Sequence, residues 1–373
     1  MEQFVVSARK YRPATFETVV GQPHVTHTLR NALKTGQLAH AYLFCGPRGV
    51  GKTTCARILA KAVNCAHLTP EGDPCNQCES CLAFNEGRSL NIFELDAASN
   101  NGVDDIRGLI DRVRFVPQGG SRSVYIIDEV HMLSTAAFNA FLKTLEEPPA
   151  HALFILATTE KHKILPTILS RCQKFDFKRI KIEEIVGQMV RIAERESIAY
   201  ERDALFLIAQ KADGGMRDAL SIFDQMVNFG NKNVTYAVVL ENLSILDYDY
   251  FFRAAEYMLA RDHAALLLLL NEVYEKGFDG LNFLQGLVEH FRNLLIAQQA
   301  QTLDLLETTE SARQKYLEQV KSFSPTLLLN AFHLSLEAES NFRAAASPRL
   351  QLELFLIKLA HLASAIELVE KKK

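Results

Sequence analysis

An apolar run, Ala41-Tyr42-Leu43-Phe44-Cys45, passes directly into Gly46-Pro47-Arg48-Gly49-Val50-Gly51-Lys52-Thr53 and then into a helical pattern reaching about Asn64. This strand–loop–helix order constrains the chain more than any other feature. The loop fits G-x-x-x-x-G-K-[ST], in which the glycines let successive backbone N–H groups turn toward an anion. Lys52 would neutralise the β- and γ-phosphates of a nucleoside triphosphate, and the Thr53 hydroxyl would hold Mg²⁺. Further strands are expected at residues 91–95, 123–127 and 152–157. Between them Ile106, Leu109, Ile110 and Val113 share one helical face, as do Phe138, Phe141, Leu142 and Leu145. Near-continuous apolar strands alternating with helices predict a parallel sheet covered on both faces.

The strand Val124-Tyr125-Ile126-Ile127 ends in Asp128-Glu129. At the carboxyl end of a parallel strand these carboxylates face the ligand crevice. Asp128 would complete the Mg²⁺ shell and Glu129 would orient the attacking water, so the pair points to hydrolysis.

A chain of 373 residues suggests two or three domains. The sequence predicts a nucleotide-binding domain over 1–180, a small helical domain over 181–243 and an all-helical domain over 244–369. Strand signals stop after about Phe177, and the middle segment breaks at Asp213-Gly214-Gly215 and Phe229-Gly230-Asn231. The five leucines Leu266 to Leu270 lie between charged and polar residues and read as a buried helix segment, not a membrane span. Neither a secretory signal at the start nor a repeat is visible, and the only biased segment is Lys371-Lys372-Lys373. A cytoplasmic protein without membrane attachment is expected. A net charge of −3 gives no global basic footprint, so any nucleic-acid contact would be local.

Seven cysteines without a signal sequence argue against a disulfide framework. Cys65, Cys75, Cys78 and Cys81 have the spacing C-x9-C-x2-C-x2-C directly after the phosphate-loop helix. Four thiolates this close form the structural zinc arrangement, and the insert of about 65–81 is too rich in Pro, Gly, Asp and Asn to bury a core of its own. An iron–sulfur cluster is the rival ligand, though nothing nearby suggests electron transfer. His67 reads as a surface residue, and Cys45, Cys55 and Cys172 need no metal.

These motifs, taken together, closely resemble the tau/gamma family of bacterial DNA polymerase III, the AAA+ ATPases of the replicative clamp loader, over nearly the whole chain. The resemblance implies an α/β AAA+ (P-loop NTPase) domain with a zinc module, a helical lid and a helical collar. Ala8-Arg9-Lys10-Tyr11-Arg12-Pro13, with Phe16 and Val19-Val20-Gly21-Gln22, looks like the family's adenine-side segment, placing Arg9, Tyr11, Arg12 and Val20 beside the nucleotide. Gly46 through Thr53 and Thr54 would bind its phosphates. Asp96-Ala97-Ala98-Ser99, His131-Met132-Leu133-Ser134 and the segment from Leu142 to Pro149 also match. Thr159, after Leu156-Ala157-Thr158, matches the polar first sensor. Ser170-Arg171-Cys172 looks like the arginine-finger motif, which places Arg171 at a neighbouring subunit's γ-phosphate. Gly215-Met216-Arg217-Asp218 matches the second sensor, which places Arg217 at its own.

The resemblance implies a pentamer of tau/gamma copies with delta and delta-prime, held by a collar in which Ser347-Pro348-Arg349-Leu350-Gln351-Leu352-Glu353 is typical. ATP binding would open the beta sliding clamp, and primer–template DNA would trigger hydrolysis and clamp release. The loop Asn100-Asn101-Gly102 would face DNA without any Lys or Arg, so phosphate contact would fall to asparagine side chains and the helix start at Val103. Arg107 and Arg114 read as a solvated helix face. The sequence ends just past the collar, where longer tau forms continue, so it corresponds to a short gamma-like form or to part of a longer one. Two other readings compete. One is a non-hydrolysing structural subunit resembling delta-prime, against which the intact loop and Asp128-Glu129 argue. The other is an AAA+ helicase or remodeller, against which the zinc insert and collar argue. No separate carboxylate constellation for nucleotidyl transfer is visible.

Overall fold

Strands of buried aromatic and aliphatic residues set the first layer of structure. A computed structural model of the chain describes residues 6–117 and 122–370. The sequence readings of residues 1–5 and 371–373 therefore lie outside the described residues. Five strands form one parallel sheet: β1 (Ala41–Cys45), β2 (Ile92–Asp96), β3 (Ser123–Asp128), β4 (Ala152–Thr158) and β5 (Gln173–Asp176), in the order β2-β3-β4-β1-β5. Every residue of β1 and β4 is buried, as a strand covered on both faces requires.

Alternate side chains feed two separate cores. Tyr42, Phe44, Val124, Ile126, Leu153 and Ile155 pack against Val25 and Leu29 of the helix Pro23–Thr35 and Ile58 and Leu59 of the helix Lys52–Val63. Leu43, Tyr125, Ile127, Phe154 and Leu156 point the other way, onto Ile106 and Leu109 of Val103–Val113 and Phe138 and Phe141 of Thr135–Glu146. The second of these helices is capped by Ser134, whose hydroxyl accepts from the Ala137 N–H.

Four strands were expected in the sheet, and among the described residues it has five. β5 sits at the sheet edge and buries only Phe175, leaving Gln173, Lys174 and Asp176 exposed, so it carries almost no apolar signal. A second difference lies past Phe177, where Ala199–Tyr200 and Asn233–Val234 pair as short parallel strands. Two residues per strand are too few to show a period.

The described residues form two compact units. One runs to Ser197 and includes Ile208–Gln225; the other comprises Ile198–Leu207 and the residues from Met226 onward. Within the second, Phe251, Phe283, Leu287, Phe291, Leu294 and Leu356 belong to a single helical core. Its helices begin where a side-chain oxygen meets the first free N–H groups: Asp247, Asp262, Asp279, Thr309 and Ser324 all cap in this way. The leucine run is only partly buried. Leu266, Leu269 and Leu270 enter the core while Leu268 is 71% exposed, because five successive helical residues point all round the axis.

Phe154 has no exposed surface and stacks on Tyr125 with ring centroids 5.5 Å apart, with Phe141 edge-on at 5.2 Å. Phe154→Ala is expected to cost about 3–5 kcal/mol, read as a lowered urea unfolding midpoint.

Candidate nucleotide site and cysteine cluster

The chain leaves β1 through Gly46 at φ +150°, with its N–H still donating to the Thr158 carbonyl at 3.2 Å. A β-carbon there would stand 2.5 Å from the Phe177 carbonyl oxygen, so both backbone angle and space demand glycine. Gly49 (φ +76°) and Gly51 (φ +104°) complete the turn into the helix Lys52–Val63, aiming its amino terminus into the loop. Lys52 is buried, and its ammonium donates to the carbonyls of Gly46 at 2.8 Å and Pro47 at 2.7 Å. Burial lowers the lysine pKa, while Glu129 and Asp128 oppose that shift.

The register of the sheet delivers the acidic partner. Ile127 pairs with Leu156 and Cys45 with Thr158, so the residues after β1, β3 and β4 emerge side by side. Thr53 Oγ1 donates to Asp128 Oδ2 at 2.6 Å, placing the hydroxyl and the carboxylate as adjacent oxygen ligands of the kind Mg²⁺ takes. Glu129 sits in the left-handed region at φ +48°. Its carboxylate accepts from the Thr159 N–H at 3.3 Å and the Thr159 hydroxyl at 3.1 Å.

His131, quoted in the sequence only as part of a motif, is a member of this cluster. Its Nδ1 lies 3.0 Å from Thr158 Oγ1 and 3.5 Å from Glu129 Oε2, and its Nε2 lies 3.2 Å from Glu160 Oε1. No spacing rule singles it out.

The cleft over the loop is walled by Ala8, Tyr11, Arg12, Val19, Val20, Ile180, Gln188, Met216, Arg217 and Leu220, together with Arg48 through Thr54, Asp128 and Glu129. Burial, and then the neighbouring Arg57, lower the Arg12 pKa. The Arg217 N–H donates to the Gly49 carbonyl at 3.4 Å. Arg9 is exposed and outside the cleft lining, and Gly46 and Pro47 shape the loop without lining the cleft. Arg171 is elsewhere: it donates to Glu146 Oε1 and to the Thr167 carbonyl, each at 2.7 Å. The sequence reading missed Ile180, Gln188 and Leu220, whose periodicity marks them only as helix or core. Gln22 is fully buried. Its Nε2 donates to the carbonyls of Val50 at 3.4 Å and Lys178 at 2.7 Å, and its Oε1 accepts from the Lys178 N–H at 3.1 Å.

The four insert cysteines converge. The sulfurs of Cys65, Cys75, Cys78 and Cys81 all lie within 4.8 Å of one another, with Cys75–Cys81 and Cys65–Cys78 at 4.0 Å. Tetrahedral ligation at about 2.3 Å places sulfurs about 3.8 Å apart, so the residues fit a four-thiolate metal site. Cys75 Sγ accepts from the N–H groups of Gln77 at 3.4 Å and Cys78 at 3.3 Å, which pull its pKa down to about 6. Burial raises the Cys65 and Cys81 thiols instead, and outside the insert it pushes Cys45 up to about 11 and Cys55 and Cys172 up to about 12.

Near the expected DNA-facing loop, the helix Val103–Val113 carries Asp104 and Asp105 in its first turn, and Arg107 pairs with Asp104 at 3.2 Å. These acids offset the helix dipole that was expected to attract phosphate.

A parallel sheet in this order, with a phosphate loop after β1, an acidic pair at the end of β3 and a threonine after β4, defines an AAA+ P-loop nucleotide-binding fold. Residues 21–181 match the family model "DNA polymerase III, delta subunit", 184–232 "DNA polymerase III clamp loader subunit, ATPase lid domain", and 234–372 "DNA polymerase III subunits gamma and tau domain III". The chain is 42% identical to DNA polymerase III subunit tau of Bacillus subtilis over 97% of its own length and 64% of the relative's. It is 35% identical to DNA polymerase III subunit gamma of Buchnera aphidicola over 96% and 97%, and 46% identical to Escherichia coli subunit tau over 74% and 43%. The chain belongs to the gamma/tau family of DNA polymerase III subunits. It spans less than two thirds of the Bacillus tau subunit.

Gly46→Ala is expected to lower stability by at least about 1 kcal/mol, measured by urea unfolding, since the alanine must move Phe177 or the loop.

Proposed function

We propose that this chain is the ATP-hydrolysing motor subunit of the bacterial replicative clamp loader within the DNA polymerase III holoenzyme, working in the cytoplasm. The division into nucleotide-binding domain (1–180), lid (181–243) and collar (244–369) is part of the same proposal. The observation that carries it is the contact chain Thr53–Asp128 and Glu129–Thr159 at the mouth of the Lys52 loop. In this reading Lys52 neutralises the β- and γ-phosphates. Thr53 and Asp128 hold Mg²⁺, which supplies charge neutralisation on the phosphate oxygens. Glu129 orients the attacking water, and Thr159 fixes Glu129 through the two hydrogen bonds described above. Arg217 reaches the γ-phosphate from the lid side of its own cleft. Tyr11, Arg12 and Val20 flank the base, and Arg9 does so only if the amino-terminal segment moves.

Arg171 stands outside its own chain's cleft lining, which supports its assignment to a neighbouring subunit's γ-phosphate. The site is then shared across an interface of a pentamer with other tau/gamma copies, delta and delta-prime. Its work is the opening of the beta clamp and its release on primer–template DNA. The match of residues 21–181 to a delta-subunit model favours a second reading, a structural subunit that does not turn nucleotide over. The complete Lys52, Thr53, Asp128 and Glu129 set argues against it.

The deciding experiment is ATPase activity of the reconstituted complex with and without clamp and primed DNA. Arg171→Ala is expected to bind ATP normally and to lose about 10³-fold or more in stimulated turnover, the scale of an arginine finger. Unchanged stimulated turnover would remove the trans assignment.

The cysteine cluster is proposed to hold one Zn²⁺, which supplies a structural cross-link for an insert that has no core. Elemental analysis is expected to find one zinc per chain, and Cys81→Ser to lose it with a lowered thermal midpoint. Stoichiometric iron in its place would overturn this.

A further inference from the structure

One buried carboxylate connects the cysteine cluster with the wall of the nucleotide cleft. Asp73 lies two residues before Cys75 and is 3% exposed. Its Oδ1 accepts from the Phe16 backbone N–H at 2.6 Å, and its Oδ2 accepts from the Arg30 guanidinium. Phe16 opens the short turn Phe16–Thr18, which has no side-chain cap of its own. Asp73 supplies the acceptor such a cap would provide, from a distant part of the chain. The next residues, Thr18, Val19 and Val20, line the cleft.

Both ends of this connection are anchored. On the cluster side, the Cys75 N–H donates to Cys65 Sγ at 3.3 Å, and the intervening Pro74 restricts both itself and Asp73 to few backbone conformations. The Asp73 N–H also donates to Thr69 Oγ1 at 3.1 Å, closing the insert on itself. On the cleft side, Arg30 belongs to the helix Pro23–Thr35, which starts directly after Gln22. Gln22 in turn binds the Val50 carbonyl of the phosphate loop. Moving Asp73 thus strands the buried N–H of Phe16 and the Arg30 guanidinium together; Phe16 leads directly into the cleft wall, and Arg30 lies on the helix that follows Gln22.

We infer that Asp73 is a positioning residue through which metal occupancy of Cys65, Cys75, Cys78 and Cys81 sets nucleotide affinity at the Gly46–Thr53 loop. The inference rests on the metal and nucleotide readings above. The insert has no core, so its order, and the place of Asp73 within it, follows the cross-link. With metal bound, Asp73 holds Phe16 and the Thr18–Val20 wall is formed; without it, the wall loosens. Coupling of this kind is reciprocal, so nucleotide also retains the metal.

The whole chain is titrated with a fluorescent methylanthraniloyl-ATP when zinc-loaded, after chelator stripping and after zinc is restored. Metal loss is followed separately with a chromogenic chelator, with and without ATP. Stripping is expected to weaken nucleotide binding about tenfold, reversibly, on the scale of one lost charge-assisted hydrogen bond. Asp73→Ala should bind about tenfold more weakly even when loaded and lose nothing further on stripping, while Asp73→Asn, which keeps an acceptor for Phe16, retains most of the affinity. ATP should slow zinc release from the unsubstituted chain but not from Asp73→Ala. Equal affinity of loaded and stripped chain, or unchanged zinc release with ATP, overturns the inference, and both readouts stand even if Asp73→Ala does not fold. A loaded chain that fails to bind nucleotide, or Lys52→Ala binding as well as the unsubstituted chain, instead overturns the nucleotide reading.

Discussion

The parallel register of three central strands is the constraint on which the site depends. Pairing Cys45 with Thr158 and Ile127 with Leu156 brings the residues that follow β1, β3 and β4 to one edge of the sheet. From there Thr53 reaches Asp128, and Thr159 reaches Glu129, without any long side chain having to bridge a gap. A one-residue slip of β3 would exchange its two faces, sending Tyr125 and Ile127 toward the helices that now receive Val124 and Ile126. The cores on the two faces therefore fix the register, and the register fixes the chemistry. A charged cluster of this kind could not hold itself in place. Lys52 is buried against the carbonyls of Gly46 and Pro47, and its position follows from the glycine turn and the helix behind it.

How much of this the sequence disclosed follows from burial. β1, β3 and β4 are apolar along their length because both faces are covered, and the amino-acid pattern shows it directly. β5 could not be read, since an edge strand with one covered face and four residues buries a single side chain. The phosphate loop, the acidic pair and the cysteines were legible because their chemistry demands particular residue types at fixed separations. Gln22 and His131 were not. Each acts through contacts with residues distant in the chain, and a lone Gln or His has no spacing to betray it. Arg9 and Arg12 show the opposite failure: two arginines three residues apart in one motif looked equivalent, and only the fold puts Arg12 in the cleft wall and leaves Arg9 outside it.

Arg171 illustrates why a functional arginine can look ordinary. Its partner, Glu146, is about half exposed, and the pair lies in water, where such contacts contribute little. That weakness suits the proposed role. A guanidinium held by a buried carboxylate would have to abandon it before reaching a neighbour's phosphate, at a cost of several kcal/mol. One held by an exposed glutamate and a carbonyl can exchange partners almost freely. The proposed finger thus requires an undistinguished resting contact.

The same reasoning applied to Asp73 gives the opposite result. Its carboxylate is nearly inaccessible and its two acceptor atoms are both used, one on a backbone N–H and one on a guanidinium. A buried carboxylate satisfied on both sides resists rearrangement, because freeing it leaves charge and donor unpaired together. Arg171 is therefore placed where it can be released, and Asp73 where it cannot be released alone. If the cysteine insert shifts, the segment carrying Val19 and Val20 must shift with it. The cysteine insert thereby acquires a mechanical hold on the cleft.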